Sequence, residues 1–598
     1  MTDLDFSDRT DFDNADRGYL GTLDDPVVRD EEGGVVWDCS AFDFLRGECP
    51  DTANPSLWRQ GALASRHGLY EVCEGVYQVR GLDLSNMTLV ETDSGVLVID
   101  PLITVEVAAA GLDLYRRHRG DRPVKGVVYT HSHVDHFGGA GGVTDGSVPI
   151  LAPDGFMDHA VSENVYAGTA MTRRSSYMYA MTLPQSPAGS IGVGLGQATS
   201  QGTPSLLEPT VDITETGQRE TVDGLEIVFQ VTPGTEAPSE MNFHFPRYRA
   251  LCMAENASHT LHNILTLRGA EVRDSRMWAR YLTEAIALFS DGTDVLFASH
   301  HWPTWGTEEI REELALQRDM YAYLHDQTVR MINQGYTGIE IAERFQLPPA
   351  LERAWSVRGY YGSVSHNVKA VYQRYLGWFD GNPATLWEHP PAESAKRYVD
   401  CMGGADSVIA KARSYIDEGD LRFAVQLLNH AVFADPDNAE ARNLEADCFE
   451  TLGHGAENGP WRNFYLTGAQ ELREGIAPAK LEVAGSLSAG LSITQIFDTL
   501  AINVDAPRVW DDRIAIDWDF TDLGERHRTT LRNGVLVQEA DPKGDGADLT
   551  VTLTKAGLLE LAGGGRPDDL SLDGDESALQ RLTASLSQPD PNFPIVTP

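Results

Sequence analysis

Residues 130–139 read THSHVDHFGG and follow directly on the apolar run PVKGVVYT (123–130). The spacing His131-x-His133-x-Asp135-His136 puts three imidazoles and a carboxylate into six positions. A strand alternates its side chains, so His131 and His133 leave its end on one side. The adjacent pair Asp135 and His136 reaches round the turn to a second point. Such a loop can feed two metal ions. A dinuclear site needs about seven protein donors if each ion takes three and one bridges, so three more must come from elsewhere. Each should end an apolar strand on the same rim of a sheet. Glu236 in TPGTEAPSE (232–240), Glu255 in RALCMAEN (249–256) and His300 in VLFASHHW (295–302) meet that condition. Imidazole nitrogen mixed with carboxylate oxygen suits zinc better than magnesium or calcium. Glu240 and His301, beside these donors, and the isolated His159 and His244 read as structural residues.

The text around the loop is that of a layered α/β domain. GVYQVRG (75–81) and NMTLVETDSGVLVIDP (86–101) predict strands, the second a hairpin turning at DSG. TVEVAAAGLDLYRRHR (104–119) predicts a helix, and PVKGVVYT the strand that delivers the histidines. TVDGLEIVFQVTPG (221–234), RALCMAEN and DVLFASHHW (294–302) predict later strands. Past Thr307 the period turns to 3.6 over EEIREELALQRDMYAYLHDQTVRMINQG (308–335). AEARNLEADCFETLG (439–453), with FADPDN before it, resembles one tetratricopeptide-type helix pair, a single copy and no array. From about Ala477, strands RIAIDWDF and ADLTVTLT and a helix SITQIFDTLA suggest a compact α+β module.

Length and charge bound the rest. A chain of 598 residues is too long for one core and predicts three or four domains. With 47 basic and 89 acidic residues the net charge is -42, which argues against nucleic-acid binding and against docking on anionic membranes. The six cysteines form no CxxC, so neither a zinc ribbon nor a disulfide framework is expected. The opening MTDLDFSDRTDFDNADRG lacks the apolar core of a secretory signal, and no apolar run approaches a membrane span. The expected location is cytoplasmic.

THSHVDHFGG resembles the signature of the metallo-β-lactamase superfamily. TEAPSEM (235–241), LHNILTLRGAEVRD (261–274), ASHHWPTWG (298–306) and GYYGSVSHN (359–367) are similar to its alkylsulfatase branch, and the likeness runs through nearly the whole chain. It implies an α/β fold: an N-terminal extension (1–60), an αββα sandwich (61–330), an all-helical dimerisation domain (331–470) and a sterol-carrier-like α+β domain (471–598). By that resemblance one zinc takes His131, His133 and Glu236, the other takes Asp135, His136 and His300, and Glu255 bridges. Asn256 departs from the family, which often has Asp after the bridging Glu; the departure bears on the support of the ligands.

The resemblance also implies a homodimer and a substrate, an alkyl sulfate, that is an anion with a fatty tail. Holding a sulfate against so negative a chain requires local, matched cations. Asn263, Arg268 and Arg273 follow Glu255 closely, and arginine's planar fork suits a tetrahedral oxyanion. Two zinc ions would lower the pKa of water towards neutrality and supply the nucleophile. Attack at carbon, as in a secondary-alkyl-sulfate hydrolase acting with inversion, expels sulfate and needs no acid. Attack at sulfur expels an alkoxide and needs one. His366 and Tyr179 are the candidates by resemblance, against structural readings in which His366 caps a helix and Tyr179 packs in an apolar stretch. The C-terminal module is expected to offer a groove for an alkyl chain or merely to extend the core. The rival from another class is a lipid or sulfate binder without catalysis.

Overall fold

The computed structural model describes residues 4–478, 483–544 and 546–598. They divide into two compact units. One takes in the chain up to His159, Thr172 to residue 478, and Asn592–Pro598; the other takes in Ala160–Met171 and residues 483–591.

The first unit is built on two sheets. Gly68–Cys73, Val76–Arg80, Met87–Glu91 and Val96–Ile99 pair antiparallel, and Val124–Val128, Ile150–Pro153 and Val211–Ile213 extend the sheet in parallel. The second sheet runs Arg219–Val222, Leu225–Val231, Met241–Phe245, Ala250–Cys252, Val295–Phe297 and Thr304–Trp305. Only its pair Ala250–Cys252 and Val295–Phe297 is parallel. Val90, Leu97 and Val128 of one sheet pack against Phe229, Phe243 and Phe297 of the other in one core. Helix Val105–Arg119 covers the first sheet, and its Gly111 lies against Met87 and Val79. Helices Ser275–Phe289 and Thr307–Ile332 cover the second, with Trp278 stacked on Tyr321 at 4.3 Å and packed on Leu251 and Leu296. The order helix, sheet, sheet, helix is the αββα sandwich. It lets the C-terminal ends of four strands open on one rim, and the proposed donors follow those ends.

Two elements escape a periodicity reading. Helix Pro55–Ala64 starts in order, with Asn54 accepting from Ser56 N at 2.9 Å and proline in its first turn. Its residues Ser56 through Gly61 are all buried, so no polar face marks the 3.6 period. Strand Gly68–Cys73 is likewise buried on both faces along most of its length.

Beyond the sandwich, helices from Gly338–Arg344 to Gly459–Glu474 form a helical region. Within it Leu421–Ala434 and Ala439–Gly455 pack through Leu428, Val432, Ala441 and Ala446, in one core with Ile409 of helix Ala405–Asp417 and Leu472 of helix Gly459–Glu474. Among the described residues no helix is long and apolar enough to cross a membrane.

The second unit is α+β. Its five-stranded sheet has the order Val535–Ala540, Glu525–Arg532, Arg513–Phe520, Leu549–Leu553, Ser571–Gly574, with the third and fourth parallel. Helix Ile493–Ile502 sets Phe497 against Trp518 at 5.3 Å. Residues Ala160–Met171, an excursion from the sandwich portion of the sequence, belong to this unit. A cavity of about 480 Å³ within it is lined by Tyr166, Ala170, Leu491, Ile496, Leu500 and Leu559, among others.

Candidate metal centre

The loop 131–139 is held close to the turn that follows strand Val96–Ile99. A Cβ on Gly138 or Gly139 would run into the carbonyl oxygens of Ile103 or Pro101, so the two glycines are what permits the approach. The four-residue helix Val134–Phe137 then swings Asp135 and His136 to the far side of the loop.

The structure brings the seven residues together in two groups that share one carboxylate. His131, His133, Glu236 and Glu255 form the first; Asp135, His136, Glu255 and His300 form the second. Within each group the donor atoms lie within 4.8 Å of one another. Glu255 Oε2 is 3.4 Å from His131 Nε2 and 3.2 Å from both His136 Nε2 and His300 Nε2. His131 Nε2 to Glu236 Oε2 is 3.1 Å, and His136 Nε2 to Asp135 Oδ2 is 3.1 Å. Ligands about 2.05 Å from a tetrahedral zinc stand about 3.3 Å apart. The donors already keep that spacing.

Their hydrogen bonding tells the same story. His131 Nε2, His136 Nε2, His300 Nε2 and Glu236 Oε2 are buried and make no hydrogen bond among the described residues. Four orphaned lone-pair atoms converging on two points fit cations, since a buried polar group without a partner is costly. The opposite ring nitrogens are engaged. His136 Nδ1 is 2.9 Å from Asp100 Oδ2, His300 Nδ1 is 3.1 Å from the Leu84 carbonyl, and His131 Nδ1 is 3.0 Å from Thr130 Oγ1. These bonds place the proton on Nδ1 of His136 and His300 and leave Nε2 free to ligate. Asp100, Ala254 and His301 take positive φ (51°, 49°, 64°), so left-handed backbone clusters around the donors.

Two carboxylates that donate nothing to the centre organise it. Asp100 accepts from Thr130 N, Thr130 Oγ1 and Ser299 Oγ at 2.9, 2.7 and 2.6 Å, tying the histidine loop to the His300 turn. Sequence reasoning missed it; an aspartate closing the apolar strand VLVID (96–100) was the available signal. Glu240 Oε2 accepts from Thr235 Oγ1, Glu236 N and Ala237 N, and its Oε1 accepts from Glu255 N. One side chain thus clamps both loops that carry Glu236 and Glu255, and burial pushes its carboxyl up to about 7. Asn256 donates from Nδ2 to Thr232 Oγ1 and Asn242 Oδ1, each at 3.0 Å, and takes its place in a neutral amide network under the strand. His244 stacks on Phe289 and sits 3.2 Å from the Gly292 carbonyl, a structural role. His159 lies half-buried on helix Phe156–Val161 and is not among the grouped donors.

The residues expected at the sulfate divide. Arg273 is turned onto the centre itself: Nη2 donates to Glu236 Oε1 at 2.5 Å, and Nη1 to Asn263 O at 2.8 Å and to Asn263 Oδ1. Arginine only donates, so the bond fixes Oδ1 as the bonded end of Asn263 and directs its amide nitrogen away. Arg268 instead neighbours Tyr179, whose hydroxyl is 3.1 Å from that of Tyr361; burial raises the pKa of both phenols. Tyr361 in turn packs edge-on to His262 at 4.8 Å. His262 Nε2 is 2.8 Å from Glu255 Oε1, the oxygen not turned to the centre. Neither Tyr361 nor His262 stood out in the sequence, because an imidazole or phenol outside a cluster carries no spacing signal. His366 closes the capping box of helix Val364–Leu376 with Ser363 and accepts from Trp461 Nε1 at 2.9 Å. Burial, with Lys369 nearby, pushes it down to about 3, so it is neutral at pH 7.

Paired ligand sets on the rim of an αββα sandwich define a metallohydrolase of the metallo-β-lactamase type, and residues 80–154 match that superfamily. Residues 337–475 match the alkyl sulfatase dimerisation family and residues 482–598 the alkyl sulfatase C-terminal family. A linear primary-alkylsulfatase of Pseudomonas sp. is 49% identical over all of this chain and 91% of its own length. An (R)-specific secondary-alkylsulfatase of Pseudomonas sp. is 46% identical over all of this chain and 92% of its own. The solved structure of the stereoselective inverting sec-alkylsulfatase Pisa1 from Pseudomonas sp. superposes with a TM-score of 0.97 at 46% identity, covering 100% of this chain and 96% of that one. The chain belongs to the alkylsulfatase family of the metallo-β-lactamase superfamily.

Proposed function

We propose that the protein hydrolyses linear alkyl sulfate esters, such as dodecyl sulfate, to alcohol and sulfate at a centre of two zinc ions per chain. One observation carries the reading: two ligand groups share Glu255, and beside them stand Arg268, Asn263 and an apolar wall. Zinc bound there would supply a nucleophile from water at neutral pH and offset the charge of the sulfate. His131, His133 and Glu236 would hold one ion, Asp135, His136 and His300 the other, with Glu255 between them.

The chain's own residues then divide the substrate. Arg268 and the amide nitrogen of Asn263, oriented by Arg273, bind the sulfate oxygens. Met178, Tyr361, Leu84 and Ile103, in one cluster with Tyr179 and Leu267, present the apolar surface for the first carbons of the tail. If the bond to sulfur breaks, Tyr179 is better placed than His366 to protonate the leaving oxygen. Its raised pKa keeps the phenol protonated at neutral pH, whereas the His366 nitrogens are occupied in the helix cap. The cavity of the second unit is proposed to hold an alkyl chain for delivery. The chain is proposed to act as a homodimer through the region 337–475, where Trp378 and Trp387 are 77% and 96% exposed on the single chain.

Hydrolysis of dodecyl sulfate in oxygen-18 water tests the reading. Sulfate release that depends on two equivalents of zinc is expected, and label in alcohol or in sulfate reports which bond broke. Full activity with a single bound ion would overturn the dinuclear centre. Zinc-loaded protein that releases no sulfate would overturn the function.

A further inference from the structure

Behind the turn that carries His300 lies a second set of orphaned polar atoms, outside the ligand groups. Arg80 is 4% exposed, and its Nε and Nη2 find no hydrogen-bond acceptor among the described residues. Its guanidinium carbon lies 3.5 Å over the face of Tyr70. Trp302, 3% exposed, leaves Nε1 equally without an acceptor. Both side chains line a cavity of about 20 Å³, together with Arg66, Asp83, Asn86 and His301; the Asp83 carboxylate is taken up by Leu84 N, Ile103 N, Ser200 N and Ser200 Oγ, which donate to it. A void of that size holds one or two small species, since a single water needs about 10–15 Å³.

The character of these atoms selects the occupant. Three are donors, two of them on a buried cation that no carboxylate among the described residues approaches to salt-bridge distance, Asp16 acting on it only from farther off. Arg66 adds a second positive charge on the cavity wall, and its own partner Asp16 is mostly in solvent. A water alone would satisfy a donor but leave the buried charge uncompensated. The fourth orphan, His301 Nδ1, is an acceptor: Nε2 faces the Gly194 carbonyl at 3.1 Å, and Gln60 Nε2 beside it spends its hydrogens on the Gly194 and His259 carbonyls, so the ring hydrogen sits on Nε2. One water beside an anion satisfies it. We propose that this cavity is a binding site for one small inorganic anion of halide size, held by Arg80 and Trp302. The site braces the turn that carries His300: Asn86, on the cavity wall, donates from Nδ2 to His301 O at 2.8 Å and from its backbone to Ser299 O at 2.7 Å.

Crystals of the full chain soaked in bromide test this directly. An anomalous peak within hydrogen-bonding distance of Arg80 and Trp302 Nε1 is expected. Thermal unfolding at constant ionic strength gives an independent reading. Replacing gluconate by chloride should raise the midpoint of the wild type by a few degrees, saturably, and leave Arg80→Met unmoved. Only water density at the cavity, while bromide occupies other positions in the same crystal, overturns the inference. An equal chloride response in wild type and Arg80→Met overturns it as well.

Discussion

Replacing Arg273 by lysine separates support of the metal from recognition of the sulfate. The substitution keeps the net charge at -42, so the field of the whole chain is unchanged. What it removes is the fork that spans Glu236 Oε1 at 2.5 Å and Asn263 O at 2.8 Å. An ammonium is a single point and reaches only one of these partners. At least one charge-assisted hydrogen bond in a fully buried site is lost, worth roughly 1.5–3 kcal/mol. If that bond fixes a ligand carboxylate, the loss should appear as roughly 10- to 100-fold weaker metal binding. Competition with a chromogenic chelator measures the affinity, and kcat/KM on dodecyl sulfate should fall at least as far because Asn263 also loses its orientation. A variant that keeps wild-type metal affinity while kcat/KM drops would show that Arg273 acts on the substrate and not through Glu236. Wild-type values of both would refute the reasoning altogether.

The companion change Arg268→Lys should leave metal affinity unchanged and lower kcat/KM about tenfold, since Arg268 acts on the Tyr179 side of the pocket; the same chelator competition and steady-state kinetics check both halves. Glu445, buried on helix Ala439–Gly455 with Oε2 unpartnered among the described residues, has its carboxyl pushed by burial from 4.5 up to about 8. The folded state therefore binds the extra proton between those values, and stability should fall as pH rises through that window. Glu445→Gln should flatten the dependence and stabilise at pH 8 by on the order of 3–5 kcal/mol, read from denaturant unfolding against pH. Filling the second unit's cavity with Ala170→Trp or Ala562→Trp should raise KM for dodecyl sulfate and spare short alkyl sulfates. Equal effects on both chain lengths would mean the cavity does not take the tail. Point substitution is a cleaner test than truncation from Ala477, because Asn592–Pro598 belongs to the first unit, where Arg173 donates to Phe593 O and Ile595 N to Glu471.

The seven residues that the structure groups were legible in the chain because metal ligation is a local demand on residue type. Four donors come within six positions, and the rest stand where apolar strands end, so alternation and strand endings suffice to nominate them. The αββα layering was legible for the same reason, through strands and helices with a clean period. Helix Pro55–Ala64 was not, because full burial erases the polar face that periodicity needs. What only the tertiary structure decided is the partnership of single residues, near or far in sequence. Asp100 meets His136 and Ser299, Glu240 clamps the loops of Glu236 and Glu255, and Arg273 turns onto Glu236 and Asn263. Such a residue has no spacing to betray it. Its role depends on where a hydrogen bond is satisfied, and in a buried site that is set by packing between strands that the sequence places up to 199 residues apart.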